Sequence, residues 1–532
     1  MGIKQRMGSM LISIGLVSGL LTGCTGSSND PSGNPGNTGG TATDSASNES
    51  ATKGALKRTL RVVTFMEEDW GDQLRVAIEN YKAVQPNAKI ELESMPYQNY
   101  AEAIKAQMVG GISADLIQAE PAMTSAFESA DGMLALDEYL DQPNPYSNTG
   151  KSWKEDFIAP FLDSSRNAAG QAKIVPWSLV WVGLVYNKDA YAKAGIAEPP
   201  ATWNDFLTAN EKLKTAGYQP FYTAIKNNDA QTWWMFQTML NALFRPKTEQ
   251  INLRHAEGWK YAYDDPNSTN GEILTVDELY VAFKKGLIDP AKAPEYRKAL
   301  ELMLQMEPHF NDNLLTADGS EIDPKFLSQT TAQKYTGTFG FGSLDSELAK
   351  LEQEGKSDNV FKWDAVNFPS ITSDNAAELT AGGLNPLSGL RNGWVVSGKS
   401  EQSELAIDFL RFLTAADQVS KLYEVKREKR DNSLQPDASA VADVKYAGEA
   451  KKVDAALKYA ELPIYGFGSP PVFDTGKDFE EFLSQWQGLW SKKLTIDEFL
   501  KKRSDSNLAA LERNMKQFAD QVDQAFIDSE LN

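Results

Sequence analysis

Cysteine occurs once in this 532-residue chain, as Cys24, and histidine only twice, as His255 and His309. A single thiol forbids an internal disulfide, an iron–sulfur cluster and any cysteine-built zinc cage. Two histidines leave little for imidazole-dependent catalysis or metal binding, and no residue pattern calls for a cofactor. Basic charge is also short. The chain has 53 Lys plus Arg against 73 Asp plus Glu, a net charge of −20, which repels a phosphate backbone and makes nucleic acid a poor partner. Beyond the amino terminus no stretch approaches the ~18 uninterrupted apolar residues that a membrane span needs. What is present is a 41% apolar and 24% charged composition, enough to bury large cores, at a length that favours more than one compact unit.

The amino terminus accounts for the lone cysteine. Lys4 and Arg6 precede an apolar run from Met10 to Leu21, and Leu21-Thr22-Gly23-Cys24 follows. Length and polarity are those of a signal peptide. Leu-Thr-Gly-Cys resembles the bacterial lipobox, which implies cleavage after residue 23 and acylation of Cys24. Acyl chains would hold the protein on the outer face of the cytoplasmic membrane. From Thr25 to Thr52 the residues are almost all Gly, Ser, Thr, Asn, Pro or Asp, a composition that reads as a flexible tether over 24–57.

Folded sequence is expected over 58–532. Leu60 and Val62 lie in a buried strand; Leu74, Ile78, Tyr81 and Val84 recur at helical spacing until Pro86; Ile90 and Leu92 mark a second strand. Tyr100, Ile104 and Met108 mark a helix that Gly110-Gly111 stops, and Ala114 to Ala119 reads as a third strand. This β-α-β-α-β run predicts a parallel α/β sheet whose ligands sit beyond the carboxyl ends of the strands. Farther on, Leu179 to Tyr186 is a long apolar strand, and Asn187-Lys188-Asp189 starts a short helix closing at Gly195. Thr202 fits an N-cap with Asp205 as partner, and Trp203, Phe206, Leu213 and Ala216 form the inner face of the helix that Gly217 ends.

Several of these pieces carry a resemblance. Val175-Pro176, Leu184 to Asp189, Ala194-Gly195-Ile196, Pro199 to Asp205 and Leu213 to Pro220 stand in the order and spacing of the extracellular solute-binding proteins of carbohydrate ABC transporters, the group that includes maltose-binding protein. Asn392 to Ser400, followed by Ala406 to Thr414, looks like the family's late strand and the helix after it. The resemblance implies a periplasmic-binding-protein-like fold of two α/β lobes joined by crossing hinge segments. It implies lobe 1 over about 58–179 plus about 390–425, and lobe 2 over about 180–389 plus part of the carboxyl-terminal region. It also implies a carbohydrate ligand held in the cleft, lobe closure over it, and delivery to ABC transporter permease subunits, with no covalent chemistry.

A pyranose presents C–H faces to flat rings and hydroxyls to carboxylates, amides and guanidinium groups. Twelve tryptophans are available, though a tryptophan is more often core than platform. Trp177 and Trp181, at the start of the strand that crosses between lobes by resemblance, are expected to point the same way and are candidates to line the cleft. Of the adjacent Trp233 and Trp234, one is expected to pack inside and the other, Trp233, to reach ligand. Glu67 and Glu68 follow the first strand and either contact ligand or serve only the next helix. Gln118 and Glu120 end the third strand in the same layer, with Glu120 again open to a role in the following helix. Phe339 lies in Thr336 to Gly342, where the family has a small-residue turn with a ring facing the ligand. Arg391 and Trp394 flank Asn392-Gly393 near the return crossing, and Arg391 reads equally as a ligand contact or a hinge ion pair.

Other features are weaker. The polar cluster from Asp264 to Glu272 lacks the glycine and glutamate of an EF-hand loop, and the basic run Lys426 to Arg430 reads as a solvated face. Inserts 253–270 and 426–452 match nothing in the family. Two rivals remain: a lipid-anchored glycoside hydrolase, which needs two carboxylates across the scissile bond, and a binder of a non-sugar solute such as a peptide.

Overall fold

In the computed structural model the described residues are 58–97, 99–128, 130, 132–163, 165–167, 171–225, 230–253, 275–376, 379, 387–425, 439–446, 477–517, 519 and 522–532. Cys24, the tether, His255, the Asp264 to Glu272 cluster and the basic run from Lys426 lie outside them.

Strand β1 (Arg58–Thr64) is followed by helix α1 (Glu67–Val84), strand β2 (Ala88–Ser94), helix α2 (Tyr100–Gly110) and strand β3 (Leu116–Ala119). β1 pairs in parallel with both β2 and β3, as the alternation of strand and helix predicts. Helix α1 starts earlier than its apolar period from Leu74 suggests, because Trp70 in its first turn is already in the core. Its last turn ends before Pro86, which cannot donate a backbone hydrogen bond. Helix α2 stops at Gly111, whose φ of +68° is open to glycine at little cost.

Two long strands tie this half of the molecule to the other. β4 (Val175–Asn187) and a strand late in the chain, Leu387–Val396, run antiparallel to each other. Between them in sequence come α3 (Lys188–Lys193), α4 (Trp203–Thr215), β5 (Gln219–Phe221), α5 (Ala230–Phe244), β6 (Thr331–Gly337) and β7 (Trp363–Val366), so that the late strand is β8. The sheet order is β2-β1-β3-β8-β4-β6-β5, with β7 also on β4. The first part of β4 pairs with β8, and its last part pairs with β6 and β7. The crossing strands are thus antiparallel members of a sheet whose outer strands are parallel.

Local capping follows the residues. Asn187 accepts from the backbone N–H of Asp189 and Ala190, each at 2.9 Å, and starts α3. Thr202 accepts from the Asp205 N–H at 3.3 Å at the start of α4. Among the described residues the two largest apolar clusters are separate cores. Leu60, Val62, Trp70, Leu116 and Trp394 belong to one, while Leu184, Trp203, Phe206 and Met239 belong to the other. Phe482 and Trp486 of α6 (Lys477–Trp490) and Phe499 and Leu511 of α7 (Ile496–Gln517) pack into the second core. These are the two α/β lobes.

The pairing of β4 with β8 slips twice. Pro176 faces Gly393, the next pair is Ser178 with Asn392, and the next is Leu179 with Leu390. Trp177 is therefore an extra residue on β4 and Arg391 an extra residue on β8, one on each side of the Ser178–Asn392 pair. Such bulges bend a strand and change which way its side chains point. Accordingly Val175 and Trp177 join the core of Leu60 and Leu116, whereas Leu179 joins Val63 and Ile117 on the opposite face. Trp177 and Trp181, four apart, do not point the same way as strand alternation predicts.

Candidate functional site

Because β1, β2 and β3 are parallel, the residues just after them gather at one edge of the sheet. Phe65, after β1, has its ring 5.5 Å from that of Tyr97, after β2, and 5.1 Å from that of Tyr100. Tyr97 is 57% exposed. Its hydroxyl donates to Glu120 Oε2, after β3, at 2.8 Å. Glu120 is half-buried, and burial pushes its carboxyl above the ordinary value, against the opposing pull of Tyr97 and of the Arg391 charge. The Tyr97 phenol is pushed up chiefly by burial, with the nearby Glu120 charge adding to it.

Arg391 reaches the same place from β8, where the bulge makes it the extra residue. Its guanidinium carbon stands 5.8 Å from the centroid of the Phe339 ring, a cation–π arrangement. Phe339 is 42% exposed in the turn that follows β6. A Cβ on Gly337 would lie 2.3 Å from Phe339 Cε1, so a glycine there lets the ring fold back over the strand end. The Phe339 ring packs edge-on against Trp234 at 5.9 Å, and Trp234 lies 5.5 Å from Trp233 on α5. The band therefore runs Phe65, Tyr97, Glu120, Arg391, Phe339, Trp234, with half-buried Trp233 behind. It offers two exposed rings, Tyr97 and Phe339, with a carboxylate beside the first and a guanidinium group over the second.

Of the residues singled out by sequence, Glu120, Arg391, Phe339 and Trp233 are brought together here. Trp177, Trp181, Trp394, Gln118 and Glu67 are placed elsewhere by the structure. Trp177 is fully buried, with its ring 5.0 Å from Trp70. Trp394 is fully buried in the same core. Trp181 is 2% exposed, donates from Nε1 to Asn367 Oδ1 at 2.9 Å and packs edge-on against Phe341. None of these three rings has a free face for a sugar. Gln118 is fully buried, with both ends of its amide engaged by Thr64 and Asn392. Glu67 is the first residue of α1 and forms an ion pair with Arg75 farther along the helix, so it serves the helix. Glu68 lies in the same first turn, and its side chain is outside the described residues.

Phe65, Tyr97 and Trp234 are not singled out for the ligand by sequence. Tyr97 carries a usable signal: it stands in Met95-Pro96-Tyr97, immediately beyond a strand end, where proline leaves the chain extended and the ring uncovered. Trp234 rather than Trp233 contacts Phe339, since adjacent helical residues point about 100° apart and sequence alone does not set the helix rotation. His309 plays no part in the band; it is buried, with Nδ1 3.6 Å from Glu211. A separate surface cavity lined by Tyr186, Tyr191, Ile196 and Pro199 contains none of the candidate ligand residues.

Solved structures share this fold. The solved structure titled chitin oligosaccharide binding protein covers 85% of this chain and 99% of its own, with 17% identity and a TM-score of 0.57. The sugar-binding protein MalE of Xanthomonas citri covers 87% and 99%, with 13% identity and a TM-score of 0.59. In sequence, the sn-glycerol-3-phosphate-binding periplasmic protein UgpB of Shigella flexneri serotype 5b (strain 8401) is 25% identical over 164 residues, 30% of this chain. That match spans only 36% of the relative's own length. The family described as bacterial extracellular solute-binding protein matches residues 67–420. That match covers more than half of the chain and takes in Tyr97, Glu120, Phe339 and Arg391, and the chain belongs to this family of extracellular solute-binding proteins.

Proposed function

We propose that the chain is a receptor for a carbohydrate, an oligosaccharide, which it binds between its lobes and hands to an ABC importer when the lobes close. The observation that carries this reading is the pair of exposed rings, Tyr97 and Phe339, with Glu120 and Arg391 beside them at the strand ends. Rings of this kind stack on the C–H faces of a sugar while the charged groups take its hydroxyls. An elongated band of rings suits several sugar units better than one. The titles of the structural relatives, which name a chitin oligosaccharide binding protein and a sugar-binding protein, support the same class of ligand.

Lobe 1 is assigned to about 58–179 plus about 390–425, and lobe 2 to about 180–389 plus part of the carboxyl-terminal region. The split of the apolar clusters supports this division. A ligand that touches Tyr97 on one lobe and Phe339 on the other favours closure by its difference in affinity for the two arrangements. Acylated Cys24 would keep the receptor at the outer face of the cytoplasmic membrane, beside the permease.

Calorimetric titration against a glycan array, followed by small-angle scattering at saturation, tests the reading. Heat from a glycan together with a smaller radius of gyration is expected. No heat from any glycan, or heat from peptides alone, rules it out. For the anchor, Cys24→Ser should move the protein from the membrane fraction to the soluble fraction.

A further inference from the structure

A line of buried polar side chains crosses the sheet at the level of the two bulges. Thr64 Oγ1 on β1 accepts from the Met66 N–H at 2.9 Å and donates to Gln118 Oε1 on β3. Gln118 Nε2 donates to Asn392 Oδ1 on β8 at 2.9 Å, and Asn392 Nδ2 donates to Ser178 Oγ on β4 at 2.7 Å. All four side chains are fully buried. Leu116, Trp177 and Trp394, their neighbours along the same strands, are apolar or aromatic and fill the first core. Polar groups in such a place are costly unless each is satisfied, and a satisfied chain fixes lengths and angles more tightly than apolar packing does.

The chain ends at a mechanically distinctive place. Ser178 and Asn392 are the one pair left in register between the bulge at Trp177 and the bulge at Arg391. On either side the ladder is regular, so bending of one lobe against the other concentrates where the ladder is broken. The other end lies at Thr64 and Met66, on either side of Phe65, whose ring touches Tyr97. One line of hydrogen bonds therefore joins the strand end beside the binding band to the point where both crossing strands bend.

We propose that Gln118, Asn392 and Ser178 are positioning residues of the hinge, which hold the angle between the lobes and couple it to the strand end that carries Phe65. The proposal rests on the two-lobed reading of the fold and concerns its regulation; none of the three residues touches ligand. Its test needs no ligand. In a Cys24→Ser background of the full chain, spin labels are attached at Val109→Cys and Leu315→Cys, which are 65% and 42% exposed. The distance distribution between them is then measured by pulsed electron resonance for the parent, for Ser178→Ala and for Gln118→Leu.

A broader distribution in both variants is expected, with the thermal midpoint lowered by no more than about 4 °C for Ser178→Ala, which removes one hydrogen bond, and by no more than about twice that for Gln118→Leu, which removes two. An unchanged distribution in the folded variants overturns the proposal. Failure of Ser178→Ala to fold also overturns it, because the pair would then hold the fold and not the angle. A parent that binds no glycan, yet shows a narrow distribution that the substitutions broaden, would refute the carbohydrate reading and leave the hinge assignment standing.

Discussion

The guanidinium carbon of Arg391 lies 5.8 Å from the centre of the Phe339 ring, joining a residue on a crossing strand to a residue on the turn after β6. Neither position is demanded by core packing: Phe339 is 42% exposed and Arg391 is a bulge residue. Phe339→Ala should therefore weaken binding of the glycan found by titration by about 1 kcal/mol, roughly fivefold, the usual worth of an aromatic contact. The thermal midpoint should stay near that of the parent. Calorimetry on both proteins measures the difference, and equal dissociation constants would remove Phe339 from the site.

Glu120 gives a pH dependence with a definite sign. Its carboxyl is raised from an ordinary value of 4.5, chiefly by burial. The native state therefore holds the proton at pH values where the unfolded state has released it. Such a group contributes stability that is complete below the unfolded value and is lost as pH rises through the folded value. Glu120→Gln, which keeps the shape and never ionises, should gain stability relative to the parent on going from a pH below the ordinary carboxyl value to a neutral pH, because the raised carboxyl of the parent loses its contribution as pH rises. Urea titrations at the two pH values measure that gain; a difference between the proteins that does not change with pH contradicts the assignment.

The parallel β1–β3 run is legible in sequence because short apolar strands alternate with helices whose apolar residues recur every three or four positions, and Pro86 and Gly110-Gly111 punctuate them. The capping of α3 by Asn187 and of α4 by Thr202 is legible because those signals are local. The candidate site is legible where a residue stands at a strand end, as Glu120 and Phe339 do. It is not legible along β4, where Trp177 and Trp181 share a face only if the strand is unbroken. The bulge depends on a partner strand far away in the chain, and although Pro176 marks an irregular place in the strand, it does not show which residue is the extra one. Trp394 and Gln118 are misplaced for a related reason: composition shows that a side chain can bind a sugar, but only packing shows whether its face is already covered.

Trp177 provides a direct contrast with Phe339. Its ring is fully buried and meets Trp70 at 5.0 Å in the first core. Trp177→Ala should lower the free energy of unfolding by about 3–5 kcal/mol, the cost of emptying an aromatic site in a core. At temperatures where the variant remains folded, its glycan affinity should change little. Guanidinium unfolding curves measure the first quantity and titration the second; a variant of parental stability that binds poorly would return Trp177 to the ligand site.

Gly393 tests how closely the crossing strands must approach. It faces Pro176 in the pairing of β4 with β8, next to the Ser178–Asn392 pair. A Cβ at this position would stand 2.4 Å from the Val175 carbonyl oxygen and 2.3 Å from Ile174 Cγ2. The methyl sits on the branched Cβ of a fully buried isoleucine, and the carbonyl belongs to the neighbouring backbone and cannot move without separating the strands. Gly393→Ala should thus cost about 1–3 kcal/mol of stability through overpacking. At Gly389, on the same strand, a Cβ would meet no heavy atom within 4 Å, so Gly389→Ala should be close to neutral. Thermal unfolding of the two variants side by side measures the contrast. Equal midpoints would mean that the strands separate at Gly393 without loss, and the close approach would not constrain the crossing.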